Sequence, residues 1–142
     1  SRQAQAPTPP PRYNEEALRN LIRDAERGNA EAQTKLGDCF HEGNSVPQSL
    51  PTAFKWFEKA AIQNHPEGLY KLGFMFMHGQ GVKQDLEKAR KTMELSSQQG
   101  YAQASRRLGE LCFNTGQRGE GVNFWRLAIE QGDDEAPEVL GR

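Results

Sequence analysis

The side chains best suited to metal or nucleophilic chemistry are two cysteines, Cys39 and Cys112, and three histidines. His41 follows Cys39 by two positions, so on a helix their side chains point to different sides. His65 and His78 form neither an HExxH pair nor a spacing with the cysteines that would hold zinc. No serine or cysteine can be paired with a base from the sequence. We therefore predict a non-enzymatic protein without a metal or a cofactor.

A second candidate for a functional site is the glycine-bearing segment GQGV at residues 79–82, whose composition resembles that of phosphate-binding loops. Such a loop follows a strand, has further glycines at fixed spacing, or ends in a Lys-Ser/Thr pair, and all of these are missing here. The segment is instead predicted to be a turn between two helices. Cys39, Cys112, Trp56 and Trp125 are expected in the core, the cysteines as small buried apolar residues without a disulfide.

Composition narrows the class of protein further. The 142 residues carry a formal net charge of −1, so there is no domain-wide basic field to attract nucleic acid. No apolar run approaches the roughly 18 residues that span a bilayer, which predicts no membrane insertion. The sequence has 14 Ala and 12 Leu but only 4 Val and 3 Ile. This bias favours helices over strands.

The elements that position these residues are indicated by an internal repeat. The dipeptide Leu-Gly occurs at 36–37, 72–73, 108–109 and 140–141, each time within a similar apolar pattern. Each copy predicts a helix A that contains Leu-Gly, a loop, and a helix B, and the third copy has a loop four residues shorter. Units of this kind cannot bury their apolar faces alone and must stack. We therefore expect an all-α protein with the architecture of an α-solenoid.

Matching positions in helix B support this register. Ser49 and Asp85 are predicted N-caps, and Asn14 is a predicted N-cap of an earlier helix. A glycine inside helix A costs about 1 kcal/mol relative to alanine, so its recurrence indicates close approach by a neighbouring helix. The small helix-B residues expected opposite are Ala53, Ala89 and Gly121, and the large residues one turn later are Phe57, Met93 and Trp125.

The pattern resembles the Sel1-like repeat family, a relative of tetratricopeptide repeats. LYKLGFMFMHGQGVKQDLEKA at 69–89 is the copy most similar to that family, whereas the first copy departs from it at Asn44 and Ser45. The resemblance implies a right-handed α-solenoid of helix-turn-helix repeats, about three repeats plus flanking half-repeats. It also implies functions as an adaptor, a scaffold or a binder of other proteins. Some cysteine-rich relatives have been suggested to bind β-lactam-type ligands, but their cysteine pairing is missing here.

The predicted organisation begins with a proline-rich disordered tether at 1–12 and an N-terminal capping helix at 13–28. The repeat domain at 29–142 divides into repeats at about 29–64, 65–100 and 101–132 and a half-repeat at 133–142. The acidic run 133–135 is expected to form the first turn of that last helix.

One candidate binding surface emerges from the second A helix. Leu69, Leu72, Gly73 and Phe76 account for a core face, yet Tyr70, Phe74 and Met77 form a second apolar stripe. Because A helices line the concave surface of helical solenoids, we expect these three residues and their repeat equivalents to form a partner-binding patch. The alternative is that Tyr70 and Phe74 pack against the preceding B helix. The nine predicted partner-binding residues are Thr34, Asp38, His41, Tyr70, Phe74, Met77, Arg106, Glu110 and Phe113.

These features predict a non-catalytic protein–protein interaction module, monomeric, that binds a partner protein on the concave face. A narrower alternative is a bacterial immunity protein that neutralises a phospholipase-type toxin effector, and another is an adaptor that binds a component of a secretion or envelope assembly. A β-lactamase-type hydrolase is the remaining alternative from another class. The proline-rich start and the missing initiator methionine lead us to expect a periplasmic or secreted protein, with a cytoplasmic protein as the alternative.

Overall fold

The computed structural model describes residues 9–137. Within this range the chain forms helices joined by short loops, and no strand is present. The seven helices described are α1 (Glu15–Glu26), α2 (Ala30–Glu42), α3 (Leu50–Ile62), α4 (Pro66–His78), α5 (Leu86–Gln98), α6 (Ala102–Asn114) and α7 (Arg118–Glu130). The all-α solenoid expected from the repeats is therefore confirmed.

The helix starts follow the predicted capping residues. Asn14, Ser49 and Asp85 each have an extended backbone and a side-chain oxygen that accepts the N–H of the residue three positions later. Two A helices, α2 and α4, end at glycines in the left-handed conformation, Gly43 and Gly79. Glycine is favoured there because a side chain would be strained at a positive φ.

Each A helix packs on the B helix that follows it, in the pairs α2–α3, α4–α5 and α6–α7. The glycines of the Leu-Gly dipeptides lie at these contacts. A Cβ at Gly37 would lie 2.5 Å from the Phe57 ring, and one at Gly73 would lie 2.6 Å from Met93 Cγ. The close approach predicted from the repeat is thus confirmed, and the large helix-B residue covers the glycine.

Glutamines at the ends of the B helices join successive repeats. The side-chain amide of Gln63 donates to the carbonyl of Gly28 at 2.8 Å, and that of Gln99 donates to the carbonyl of Asn64 at 2.9 Å. Gln131 donates in the same way to the carbonyl of Ser97 at 3.2 Å. Each bond satisfies a backbone carbonyl near the turn that leads into the next repeat.

The N-terminal tether is not wholly detached from the fold. Arg12 pairs with Glu42 at 2.5 Å, and its backbone N–H donates to Asn44 Oδ1 at 2.6 Å. Tyr13 N–H donates to Ser45 Oγ at 3.1 Å. The loop after α2 thus offers polar partners to Arg12 and Tyr13, whereas the disordered tether at 1–12 stays a prediction, of which residues 1–8 lie outside the described range.

Position 133 supplies a buried ion pair. Asp133, whose side chain is 5% exposed, accepts a hydrogen bond from Arg106 Nε at 2.8 Å, and Glu135 lies 2.9 Å from the same guanidinium. Asp133 Oδ1 also accepts the N–H of Glu135. Residues 133–137 are not helical, and the Leu-Gly at 140–141, on which the predicted half-repeat depends, lies outside the described residues.

The two cysteines are free and fully buried, as predicted, and burial raises the pKa of each thiol. Trp125 is half-buried, and its indole N–H donates to the carbonyl of Arg106 at 3.2 Å. Trp56 is also half-buried, beside the cluster around Leu36. Among residues 9–137, no helix has the length and apolarity needed to cross a membrane.

Candidate functional site

The second apolar stripe of α4 is more buried than a free surface would be. Tyr70 is 7% exposed and Met77 is 9% exposed, whereas Phe74 is half-buried. Tyr70 packs on Tyr101, with ring centroids 5.3 Å apart, and Arg107 Nε donates to its hydroxyl at 3.3 Å. The expectation that Tyr70 and Met77 are exposed anchors is therefore wrong, because α4 is the central A helix and has neighbours on both sides.

Two further residues of the nine predicted for partner binding, Thr34 and Arg106, are also occupied by internal contacts. Thr34 is 1% exposed, and its hydroxyl donates to the carbonyl of Ala30 at 2.9 Å. The side chain of Arg106 is 13% exposed and is held by Asp133 and Glu135. The prediction that Thr34 and Arg106 contact a partner is therefore wrong. Helical spacing predicts the direction of their side chains but not the groups that cover them.

Four more of the predicted residues are partly accessible: Asp38, His41, Glu110 and Phe113. Asp38 pairs with Lys71 at 3.0 Å, and Glu110 pairs with Arg107 at 3.1 Å. His41 Nε2 shares a hydrogen bond of 2.7 Å with Gln80 Oε1. Phe113 is half-buried, with its ring centroid 5.1 Å from that of Trp125, and the Arg118 guanidinium lies over it.

A pocket of about 320 Å³ joins the three A helices. We call the surface formed by α2, α4 and α6 the A face, and this hollow the A-face pocket. Its lining residues are His41 and Glu42 from α2, Phe57 from α3, Tyr70, Lys71, Phe74 and Met75 from α4, and Arg107 from α6. The predicted residues His41, Tyr70 and Phe74 are thus brought together, whereas Asp38, Glu110 and Phe113 do not line the pocket.

Phe74 lies at the centre of the contacts around this pocket. Its ring centroid is 4.3 Å from that of His78 and 6.4 Å from that of Tyr70. The guanidinium carbon of Arg107 lies 5.5 Å from the Phe74 ring centroid, within the range of a cation–π contact. The result is an aromatic wall with a cation on one side and an exposed histidine on the other.

Arg107 keeps its charge in this setting. Burial acts to lower the pKa of its guanidinium, but the hydrogen bond to Tyr70 and the carboxylate of Glu110 outweigh that effect and leave the pKa raised. Burial also raises the pKa of the neighbouring Tyr101 phenol, which is therefore neutral over the physiological range. The pocket therefore combines a permanent positive charge at Arg107 with a neutral aromatic surface.

Sequence reasoning missed Lys71 and Arg107. Both occupy the position directly before the repeat leucine, as does Lys35, so the three copies read Lys-Leu-Gly, Lys-Leu-Gly and Arg-Leu-Gly. The prediction was based on the apolar stripe and therefore omitted this cation, although the cation recurs at the same position in all three repeats. Equivalent positions on successive A helices place these three charges in one column along the solenoid.

A larger hollow of about 630 Å³ lies between α5 and α7. Its floor contains Phe124 and Leu127, and Arg90 beside it forms ion pairs with Glu94 and Glu120. Over residues 9–137, no group of three or more His, Cys, Asp and Glu side chains is arranged to hold a metal ion.

Comparison with known proteins agrees with the repeat structure. A sequence profile of the Sel1 repeat matches residues 30–65, 66–101 and 102–133. No curated protein matches the sequence. Sel1 repeats typically mediate protein–protein interaction, and their fold is generally a non-catalytic scaffold.

Three solved bacterial structures illustrate the similarity. A Sel1 repeat protein from Oxalobacter formigenes is 27% identical with a TM-score of 0.77, covering 86% of this chain and 52% of that chain. A protective antigen of uropathogenic Escherichia coli that displays an SLR fold is 36% identical with a TM-score of 0.77, covering 82% of this chain and 26% of that chain. The cysteine rich protein B of Helicobacter pylori is 20% identical with a TM-score of 0.65, covering 86% of this chain and 90% of that chain, and shares the fold.

The chain thus spans about half the length of the Oxalobacter protein and about a quarter of the Escherichia coli antigen. The profile match covers most of the sequence, and its three segments contain the three A–B helix pairs of the structure. The chain therefore belongs to the Sel1 repeat family.

Proposed function

We propose that this chain is a non-catalytic module that binds a partner protein on its A face, with Phe74 as the central contact. The observation that carries the proposal is the A-face pocket, in which three successive A helices contribute to one aromatic hollow. An apolar hollow edged by polar and charged groups is typical of protein-recognition surfaces. Residues that remain accessible there are His41, Lys71, Phe74, His78 and Arg107.

The amino-acid types at this surface suit such a role. Aromatic and arginine side chains dominate the binding energy of protein interfaces, and here Phe74 and Arg107 lie in contact. The wall behind them is firm, because Phe57 and Met75 are each 1% exposed. A prepared surface of this kind loses little conformational entropy when a partner binds.

Affinity capture with matched variants tests the proposal. Wild-type protein, Phe74→Glu and Leu95→Glu are used as baits in an extract of the source cell, and the recovered proteins are identified by mass spectrometry. Leu95 is 47% exposed on α5, away from the pocket lining, so its variant makes the same type of change outside the site. We expect a protein that is recovered with the wild type and Leu95→Glu but lost with Phe74→Glu.

Circular dichroism of both variants checks that the helices are retained. Recovery of the same proteins with all three folded baits would contradict the A face as the binding surface. The identity of the captured protein also separates the narrower alternatives: a phospholipase-type toxin would favour the immunity role. Hydrolysis of a chromogenic β-lactam by the purified chain would contradict the non-catalytic part of the proposal.

A further inference from the structure

The charges at the A-face pocket point to the chemistry of the partner. Lys71 and Arg107 line the pocket, and their carboxylate partners, Asp38 and Glu110, do not. The one carboxylate in the lining, Glu42, is paired with Arg12. The pocket lining therefore contains two cations and one carboxylate, and the carboxylate partners of the two cations lie outside the lining.

Both cations retain hydrogen-bond donors that the fold does not use. A lysine ammonium has three N–H donors, and Lys71 Nζ forms one ion pair, with Asp38 at 3.0 Å. Arg107 uses Nε for Tyr70 and Nη1 for Glu110, and within residues 9–137 its Nη2 makes no hydrogen bond. Because the side chains of Lys71 and Arg107 are 30% and 28% exposed, these donors are available to an acceptor from outside.

The apolar part of the pocket limits the size of what enters it. The whole pocket, whose apolar lining is Phe57, Tyr70, Phe74 and Met75, has a volume of about 320 Å³, enough for one large apolar side chain but too little for a helix. Lys35, Lys71 and Arg107 occupy the same repeat position on successive A helices, and each pairs with one carboxylate: Glu31, Asp38 and Glu110 in turn. An extended segment crossing these helices would meet a cation at each repeat.

We propose that the A-face pocket binds an extended acidic segment of a partner protein, with an aromatic or large aliphatic side chain inserted against Phe74 and adjacent Asp or Glu carboxylates on Lys71 and Arg107. Carboxylates bound in this way accept charge-assisted hydrogen bonds, the stronger class of such bonds. The inference rests on the proposed function, because it names the partner chemistry of the same surface.

Selection of random 12-residue peptides displayed on phage tests this inference. The targets are the wild type, the double variant Lys71→Gln/Arg107→Gln, and the control Lys91→Gln, which removes a comparable but exposed charge on α5. We expect wild-type protein and Lys91→Gln to enrich peptides with an aromatic or large aliphatic residue next to Asp or Glu. The recovery of these peptides should fall about tenfold or more on the double variant. Their binding to the wild type should weaken in 0.5 M NaCl.

Enriched peptides that are basic or uncharged, equal recovery on the double variant, or no enrichment at all would overturn the inference. Selection on Phe74→Ala separates this failure from failure of the proposed function. Non-acidic peptides that are lost on Phe74→Ala would leave the A face as the binding surface and overturn only the acidic partner. Peptides recovered equally on Phe74→Ala would contradict the A face itself.

Discussion

Trp125 in α7 covers Gly109 in α6 so closely that a methyl group at position 109 would overlap the indole ring. The pairs Phe57–Gly37 and Met93–Gly73 repeat the relationship in the two earlier repeats. A backbone glycine against a large side chain is thus the contact that closes each helix pair. The absence of a side chain at this position allows the two helices to approach.

The first prediction follows from this contact. Gly109→Ala should lower the free energy of unfolding by about 1–3 kcal/mol, since the rigid indole must shift. Gly119 lies in α7 with nothing within 4 Å of its virtual Cβ, so Gly119→Ala should be neutral or stabilise the protein by up to about 1 kcal/mol. Urea unfolding followed by circular dichroism measures both. Equal stability of Gly109→Ala and wild type would contradict the close-packing explanation.

The glycine contact also shows what the sequence could predict. Leu-Gly recurs in each helix A, and Phe57, Met93 and Trp125 recur at one fixed position in each helix B. This register correctly predicts that each helix A packs on the following helix B, because stacked repeats place equivalent residues in equivalent contacts. Periodicity within one helix carries less information. The periodicity of α4 places the Met77 side chain away from the core face of that helix. It cannot show that residues of other helices bury Met77.

The charged residues show the same limit. The repeat register predicts Arg106 at the binding surface because it matches Tyr70, whereas the residue that lines the pocket is Arg107, about 100° further around the helix. The ion pair that covers Arg106 comes from Asp133, beyond the last B helix, and no local pattern indicates this contact. The fold was therefore predictable from the register, and the site only in part.

A second prediction concerns that ion pair. Arg106→Met should destabilise the protein by about 3 kcal/mol, because Asp133 would remain as a buried carboxylate without its main partner. A double-mutant cycle with Asp133→Asn should give a large coupling free energy. Lys91→Met, which breaks an exposed pair with Glu87, provides the control and should change stability by less than about 0.5 kcal/mol. Similar effects for Arg106→Met and Lys91→Met would show that the buried pair is not stabilising.

The inter-repeat glutamines support a third prediction. Gln99→Ala should cost about 1 kcal/mol, since the carbonyl of Asn64 loses its side-chain donor. Gln98→Ala, at the exposed neighbouring position, should be close to neutral. Thermal unfolding monitored at 222 nm compares the two. If both variants melt at the same temperature as wild type, the glutamine bonds do not contribute to repeat stacking.

The buried cysteines support a fourth prediction. Because burial raises the pKa of both thiols, the folded state favours their neutral form. Their contribution to stability is complete below the unfolded thiol pKa of about 8.5 and is lost as pH rises through the folded pKa values. The free energy of unfolding should therefore fall above about pH 8.5, and this fall should be smaller in Cys39→Ala/Cys112→Ala.

A thiol-reactive dye gives an independent measurement of the same burial. Cys39 and Cys112 should both resist 5,5′-dithiobis(2-nitrobenzoic acid) in the folded protein and both react in 6 M guanidinium chloride, since each is fully buried. Rapid reaction of either thiol under native conditions would contradict its position in the core.

Site-specific photo-cross-linking tests the central claim, that the A face is the binding surface, most directly. A benzoylphenylalanine is placed at His78, which is exposed beside Phe74, or at Leu95 on α5 as the control. Because both positions are exposed, neither replacement disturbs the core. We expect a specific cross-linked product in the source cell from position 78 and none from position 95. A product from position 95 alone would place the partner on the opposite helices and contradict the account.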